Sequence, residues 1–154
     1  MGASKVVATN RKARHDYYLE EIFEAGLVLN GTEVKSIRAG RLSLRESYAT
    51  VEGGEVFLHN MHISPYTHGN RWNHDPVRVR KLLLTKTEIR RLIGKVKQQG
   101  LTLVPLKVYI NERGWTKIEI AVARGKRLWD KRKQTADRDA EREAARAQKE
   151  RLRV

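Results

Sequence analysis

Two runs, 101–110 and 115–123, constrain the fold more tightly than any other part of the chain. In the second, Thr116, Ile118, Ile120 and Val122 alternate with Lys117, Glu119, Ala121 and Ala123. A period of two gathers the branched apolar residues on one face of a strand and scatters them around a helix. Asn111-Glu112-Arg113-Gly114 lies between the runs and reads as a hairpin turn. A lone hairpin cannot hide such a face, so further strands must cover it.

The rest of the chain supplies them. Residues 17–29, YYLEEIFEAGLVL, read as a strand, with Gly26 as a bulge or a point of close approach. Residues 47–52 and 55–63 read as two strands joined by Gly53-Gly54, and Pro65 ends the second. Both faces of that second strand carry apolar residues, which places it centrally. Thr32 is expected to cap a short helix, TEVKSIRA, that Gly40 stops. RVRKLLL leads into a helix over 85–99, capped by Thr85 or Thr87 and stopped by Gly100, with Ile89, Leu92, Ile93 and Val96 as its apolar stripe. Residues 67–76 read as a loop. The expected fold is mainly β: about six short antiparallel strands with two to three helices. A sheet of that size tends to curl and close, and the order fits a small oligonucleotide-binding type barrel.

The alternation stops at 124–132, RGKRLWDKR. Beyond it there is no aromatic residue, and Leu152 and Val154 are the only apolar residues larger than alanine. The expected division is a flexible basic arm over 1–14, a barrel over 15–123 and a basic tail over 124–154. The chain of 154 residues carries a net charge of +14, and both barrel and tail have excess positive charge. That favours nucleic acid or an anionic membrane as partner. No apolar run approaches the roughly 20 residues that span a bilayer, and the tail has too little apolar surface to anchor in one. No membrane partner is therefore expected. The N-terminus has no apolar core of the secretory type.

The chain has no cysteine, which suits a reducing cytoplasm and removes thiolate metal sites. His59 and His62 are three apart on an expected strand and point to opposite faces, so no metal site is expected. His15, Glu24 and Asp75 have no spacing that favours acid–base chemistry, and no catalytic residue or cofactor is expected.

Candidate RNA contacts follow from charge and shape. Asn10, Arg11, Lys12, Arg14 and His15 place donors and charge before the first long strand, and Tyr17 offers a ring for an unpaired base. The same residues equally fit a solvated arm with Tyr17 in the core. Lys35 and Arg38, three apart on a helix, are placed to approach one phosphate. Lys117 suits a phosphate contact. Glu24 alone reads as an exposed strand glutamate, and Leu83 alone reads as core. On a tail helix Arg138, Arg142 and Arg146 share one face and Ala136, Ala140, Ala144 and Ala147 the other. Such a helix is marginal when isolated. The tail is expected to be disordered when free and helical in an anionic groove.

Several separate blocks, in order, carry a resemblance: NRKARHDYYLEEIFEAGLVLNGTEVKSIRAG, DPVRVRKLLL, TLVPLKVY, KIEIAVARGKRLWDKR and the RDxxRE segment at 138–143. Over about 10–143 the chain resembles the small protein B family, the SsrA-binding proteins. The resemblance implies an oligonucleotide-binding (OB) type barrel and a binding function without catalysis. It implies binding to transfer-messenger RNA (tmRNA, the SsrA RNA) and its delivery to stalled bacterial ribosomes for trans-translation. NRKARHxY matches the family's RNA-facing start, and Glu24, Leu83 and Lys117 match its RNA-binding positions. Arg124, Gly125 and Lys126 would set the exit of the tail. Trp129 would stack near the decoding bases, where the family pattern has histidine or tyrosine. Asp130, Lys131 and Arg132 would begin the tail's engagement with the decoding centre and the empty messenger channel. Elongation factor Tu would be reached only through the charged RNA. The competing expectations are a basic ribosomal or ribosome-assembly protein and, more distantly, an RNA-processing enzyme.

Overall fold

The computed structural model describes residues 4–66, 73–97, 101–126, 136 and 138–147. The chain begins with β1 (Lys5–Thr9), α1 (Arg11–Asp16), β2 (Tyr17–Leu27) and α2 (Gly31–Arg38). It continues through β3 (Leu42–Ser43), β4 (Tyr48–Glu52), β5 (Glu55–His59), β6 (His62–Ile63) and β7 (Arg80–Leu83). Helix α3 (Lys86–Val96) and the paired strands β8 (Leu101–Ile110) and β9 (Thr116–Gly125) follow.

All pairings are antiparallel. The main sheet runs β1-β8-β4-β5-β7-β2-β9, and β8 also pairs with β9. That extra pairing closes β8, β4, β5, β7, β2 and β9 into a ring, an OB-type barrel of six strands with β1 added beside β4 on the free edge of β8. β3 and β6 form a separate two-stranded sheet. Closure needs local bends, and register shifts supply them in β1, β2 and β8. The shift in β8 falls at Pro105, which has no N–H to give a ladder.

The core follows the alternation. Ile118, Ile120 and Val122 point inward with Phe23, Ala25, Val56, Leu58, Leu82, Leu103 and Val108, and α2 and α3 add Ile37 and Leu92. A second, smaller cluster lies outside the barrel, where Ala13 of α1 covers Val104, Leu106, Ala121 and Ala123, flanked by Tyr17 and Leu19.

The structure departs from the sequence reading at definite points. Residues 5–14, expected as a flexible arm, form β1 and most of α1, because Val7 and Ala8 pack on the core and Ala13 on the second cluster. The barrel does not end at Ala123: Arg124 and Gly125 pair with Tyr18 and Tyr17, and the Lys126 N–H donates to Asp16 O. Residues 55–63 are two strands, split where Asn60 takes φ +63°. RVRKLLL contains β7. The cap of α2 is Asn30, whose side chain and Glu33 form a reciprocal capping box, while Thr32 Oγ1 instead meets His74 Nδ1 at 2.9 Å. Thr85 caps α3 with Glu88 in the same way. The expected stop at Gly100 lies outside the described residues. Ala136 and residues 138–147 are helical and exposed. Alanine and arginine are strong helix formers, which accounts for it.

Candidate nucleic-acid interface

One outward face gathers three of the candidates. Gly26 of β2 pairs with Leu83 of β7 on one side and Lys117 of β9 on the other. Strand parity brings Glu24, two residues before Gly26, to the same face. Gly26 is where the chains approach: a Cβ there would stand 3.4 Å from Leu83 Cβ and 3.7 Å from Lys117 Nζ. The close-approach reading of Gly26 holds, and the bulge of β2 lies between Leu19 and Glu21. Leu83 is 53% exposed, not core, because Arg80 and Leu82 take the inward positions of β7.

Glu24 is held from the side. Tyr109 of β8, directly across from Lys117, donates its phenol proton to Glu24 Oε2. Burial and that carboxylate push the Tyr109 phenol up, so it remains a donor at neutral pH. Lys107 sits 5.5 Å from the Tyr109 ring centroid and 3.5 Å from Glu119, the cross-strand partner of Glu24. The result is a fixed carboxylate, an open leucine and a lysine side by side on rigid strands. That combination can accept from a ribose hydroxyl or base amino group, cover a sugar face and meet a phosphate.

A second basic site lies at the other end of the β2–β9 ladder, eight residue pairs away, roughly 26 Å at strand rise. Burial of Ala13 leaves Arg11, Lys12, Arg14 and His15 exposed on α1. His15 Nδ1 lies 2.9 Å from Asp16. Asn10 is structural in part, since its Nδ2 donates to Pro105 O at 3.0 Å. Tyr17 is half-buried against the second cluster, and the exposed ring here is Tyr18. Lys126 lies 4.9 Å from the Tyr18 centroid and donates to Arg14 O, and Arg124 reaches Glu20 at 3.2 Å. Beside α1 runs a groove of about 730 Å³, lined by Arg11, Lys12, Arg45, Tyr17 and Tyr48 among others.

Lys35 and Arg38 do not converge on one point. Lys35 lies over the Tyr66 ring at 5.4 Å, whereas Arg38 Nη2 reaches the β8–β9 turn, 3.8 Å from where a Gly114 Cβ would stand. Arg138, Arg142 and Arg146 are exposed on the tail helix. Trp129, Asp130, Lys131 and Arg132 lie outside the described residues. Glu24, His15 and Asp75 are on separate elements: His15 stands one end of β2 away from Glu24, and Asp75 Oδ1 accepts from Val77 N in the loop before β7. Among the described residues no three His, Asp or Glu side chains group as metal ligands, and no helix is long and apolar enough to cross a membrane.

The sequence reading missed a buried polar knot that fixes α2 beneath β7. Glu33 and Arg80 are both fully buried. Arg80 Nε meets Glu33 Oε2 at 2.5 Å, its other nitrogens donate to Met61, Asp75 and Pro76 carbonyls, and Arg78 takes Glu33 Oε1. His74 bridges Thr32 and Ile63 O. The available signal was parity: Arg80 shares the inward side of β7 with Leu82.

Known proteins resemble this chain in sequence and fold. The family model described as SmpB protein matches residues 7–150. An SsrA-binding protein of Moorella thermoacetica is 61% identical over 150 residues, covering 97% of each chain. One of Geobacillus thermodenitrificans is 60% identical over 153 residues, covering 99% of this chain and 98% of the relative. A solved structure described as "tmRNA-SmpB: a journey to the center of the bacterial ribosome" matches with TM-score 0.66 and 57% identity, over 78% of this chain and 84% of that one. With the match running through barrel and tail alike, the chain belongs to the SmpB family.

Proposed function

We propose that this protein is an RNA-binding adaptor of ribosome rescue, without catalysis of its own. Its barrel holds the transfer-like domain of tmRNA, and its tail enters the decoding centre and vacant messenger channel of a stalled bacterial ribosome during trans-translation. The observation that carries this reading is the convergence of Glu24, Leu83 and Lys117 on one rigid outward face, around a glycine that leaves it flat. The likeness to tmRNA-binding relatives and to a solved tmRNA–SmpB structure supports the identity of the RNA.

The geometry supports a division of labour. Lys117 meets a phosphate. Glu24, oriented by Tyr109, accepts from a ribose hydroxyl or base amino group. Leu83 lies against a sugar or base. At the far end of the ladder, α1 and Arg124–Lys126 offer a second RNA contact where the tail leaves the body. Trp129 and Asp130–Arg132 begin the tail's path, and Arg138, Arg142 and Arg146 line it with charge. Elongation factor Tu meets the protein only through the charged RNA, and the place of action is the cytoplasm. Lys117→Ala or Glu24→Ala should weaken binding of a transfer-like-domain transcript by about 1–3 kcal/mol. Filter binding beside thermal melting checks this. Unchanged affinity in well-folded variants would remove the β2–β7–β9 face from the RNA contact.

A further inference from the structure

Trp115 is the most exposed of the exposed large hydrophobic side chains among the described residues, at 66%. A tryptophan held so far out of the core calls for a partner. The turn beneath it is fixed. Asn111 Oδ1 accepts from the Arg113 and Trp115 N–H groups at 3.1 and 2.9 Å. The Asn111 N–H donates to Trp115 O, the Gly114 N–H donates to Asn111 O, and Gly114 takes φ +84°, a conformation glycine adopts without strain. The indole is therefore presented on a preformed tip and costs little to order on binding.

Cations flank it in sequence and at the turn, and Arg113 also lines a groove with Glu24, Glu112 and Glu119. Arg113 is two residues before it, Lys117 two after it, and Arg38 Nη2 reaches the same turn from α2. Among the described residues none of the three has a carboxylate partner, and Glu112 is the one acidic side chain in the turn itself. Tyr18, Tyr66 and Tyr109 each carry a lysine of this chain over their ring, and no such cation covers Trp115 among the described residues. An open indole with a cation two residues to either side and Arg38 at the same turn suits a nucleotide: the base has a π-face to stack and its phosphates meet the cations. Lys117 joins this tip to the face already described.

We propose that Trp115 is a base-stacking residue, with Arg38 and Arg113 holding the flanking phosphates of an unpaired nucleotide in the transfer-like domain of tmRNA. This rests on the reading of the barrel as the holder of that RNA.

The test uses full-length protein carrying Trp72→Phe and Trp129→Phe, which leaves Trp115 as the one tryptophan of the chain's three. Its emission should be quenched on titration with a transcript of the transfer-like domain. In the wild-type background, Trp115→Ala should weaken binding roughly 5- to 100-fold. Trp115→Phe should restore most of the loss, and Trp115→Leu should not. Arg38→Ala with Arg113→Ala should lower the slope of log affinity against log salt. Normal binding by a folded Trp115→Ala variant, or emission unchanged at saturation, overturns the inference and leaves the parent reading standing. Normal RNA binding with loss of a protein contact overturns it too. Failure of the wild-type protein to bind the transcript overturns both.

Discussion

At the residue scale, the least expected feature is a fully buried ion pair inside a small basic barrel. Burial pushes the Glu33 carboxyl up, but hydrogen bonds from Arg78, the Asn30 N–H and Arg80, together with the Arg80 charge, outweigh it and hold the pKa below its ordinary 4.5. A carboxyl depressed in the folded state stabilises the fold above its unfolded pKa, and that stability is lost as pH falls through the folded value. This contribution should therefore be constant from neutral pH to about 5 and decline below it. Glu33→Ala strands the Arg80 guanidinium in the core and should cost about 3–5 kcal/mol. Lys81→Ala, which breaks only an exposed pair with Glu55, should cost under about 1 kcal/mol. Urea denaturation at neutral and acid pH measures both. Equal costs, or a Glu33→Ala variant that keeps the wild-type acid response, would contradict the assignment of the knot as a lock on α2.

At the element scale, legibility followed length and period. β9 was readable because its alternation leaves no other solution, β8 because a long apolar run faces it across a hairpin turn, and the Gly53-Gly54 turn marked β4 and β5 because both glycines sit at positive φ. β3 and β6 have two residues each, too few to show a period. β7 hid because an arginine occupies an inward position, which no hydrophobic pattern reveals before its carboxylate partner on α2 is known. The candidate site divided the same way. Lys117 was readable from charge. Glu24 and Leu83 were not, since their roles depend on the neighbours that Gly26 lets close in, and they were reached through family resemblance. Trp115 gave no signal because an aromatic at a strand's start ordinarily marks core. The tail helix carries its own prediction. Proline at Ala140 removes a hydrogen bond inside residues 138–147 at about 3 kcal/mol. Ala140→Pro should impair tagging on ribosomes stalled on a truncated messenger and leave transcript affinity unchanged. Equal tagging by the proline variant would show that the tail acts without this helix.

At the scale of the whole molecule, the barrel separates two basic ends along one strand ladder and sends the tail from only one of them. β9 runs from Lys117, on the proposed RNA-holding face, to Gly125, beside α1, so both ends belong to one rigid strand pair. An RNA seated on the first end and a tail leaving the second can be engaged together. The pairing of Arg124 and Gly125 with β2, and the bonds from Lys126 to α1, carry the body through Lys126. The most direct measurement is therefore a parallel titration and tagging assay on protein ending at Lys126. The truncated protein should melt cooperatively, bind the transfer-like-domain transcript within about twofold of the full chain and fail to support tagging on stalled ribosomes. Loss of transcript binding in step with tagging would contradict the division between a body that holds RNA and a tail that engages the ribosome.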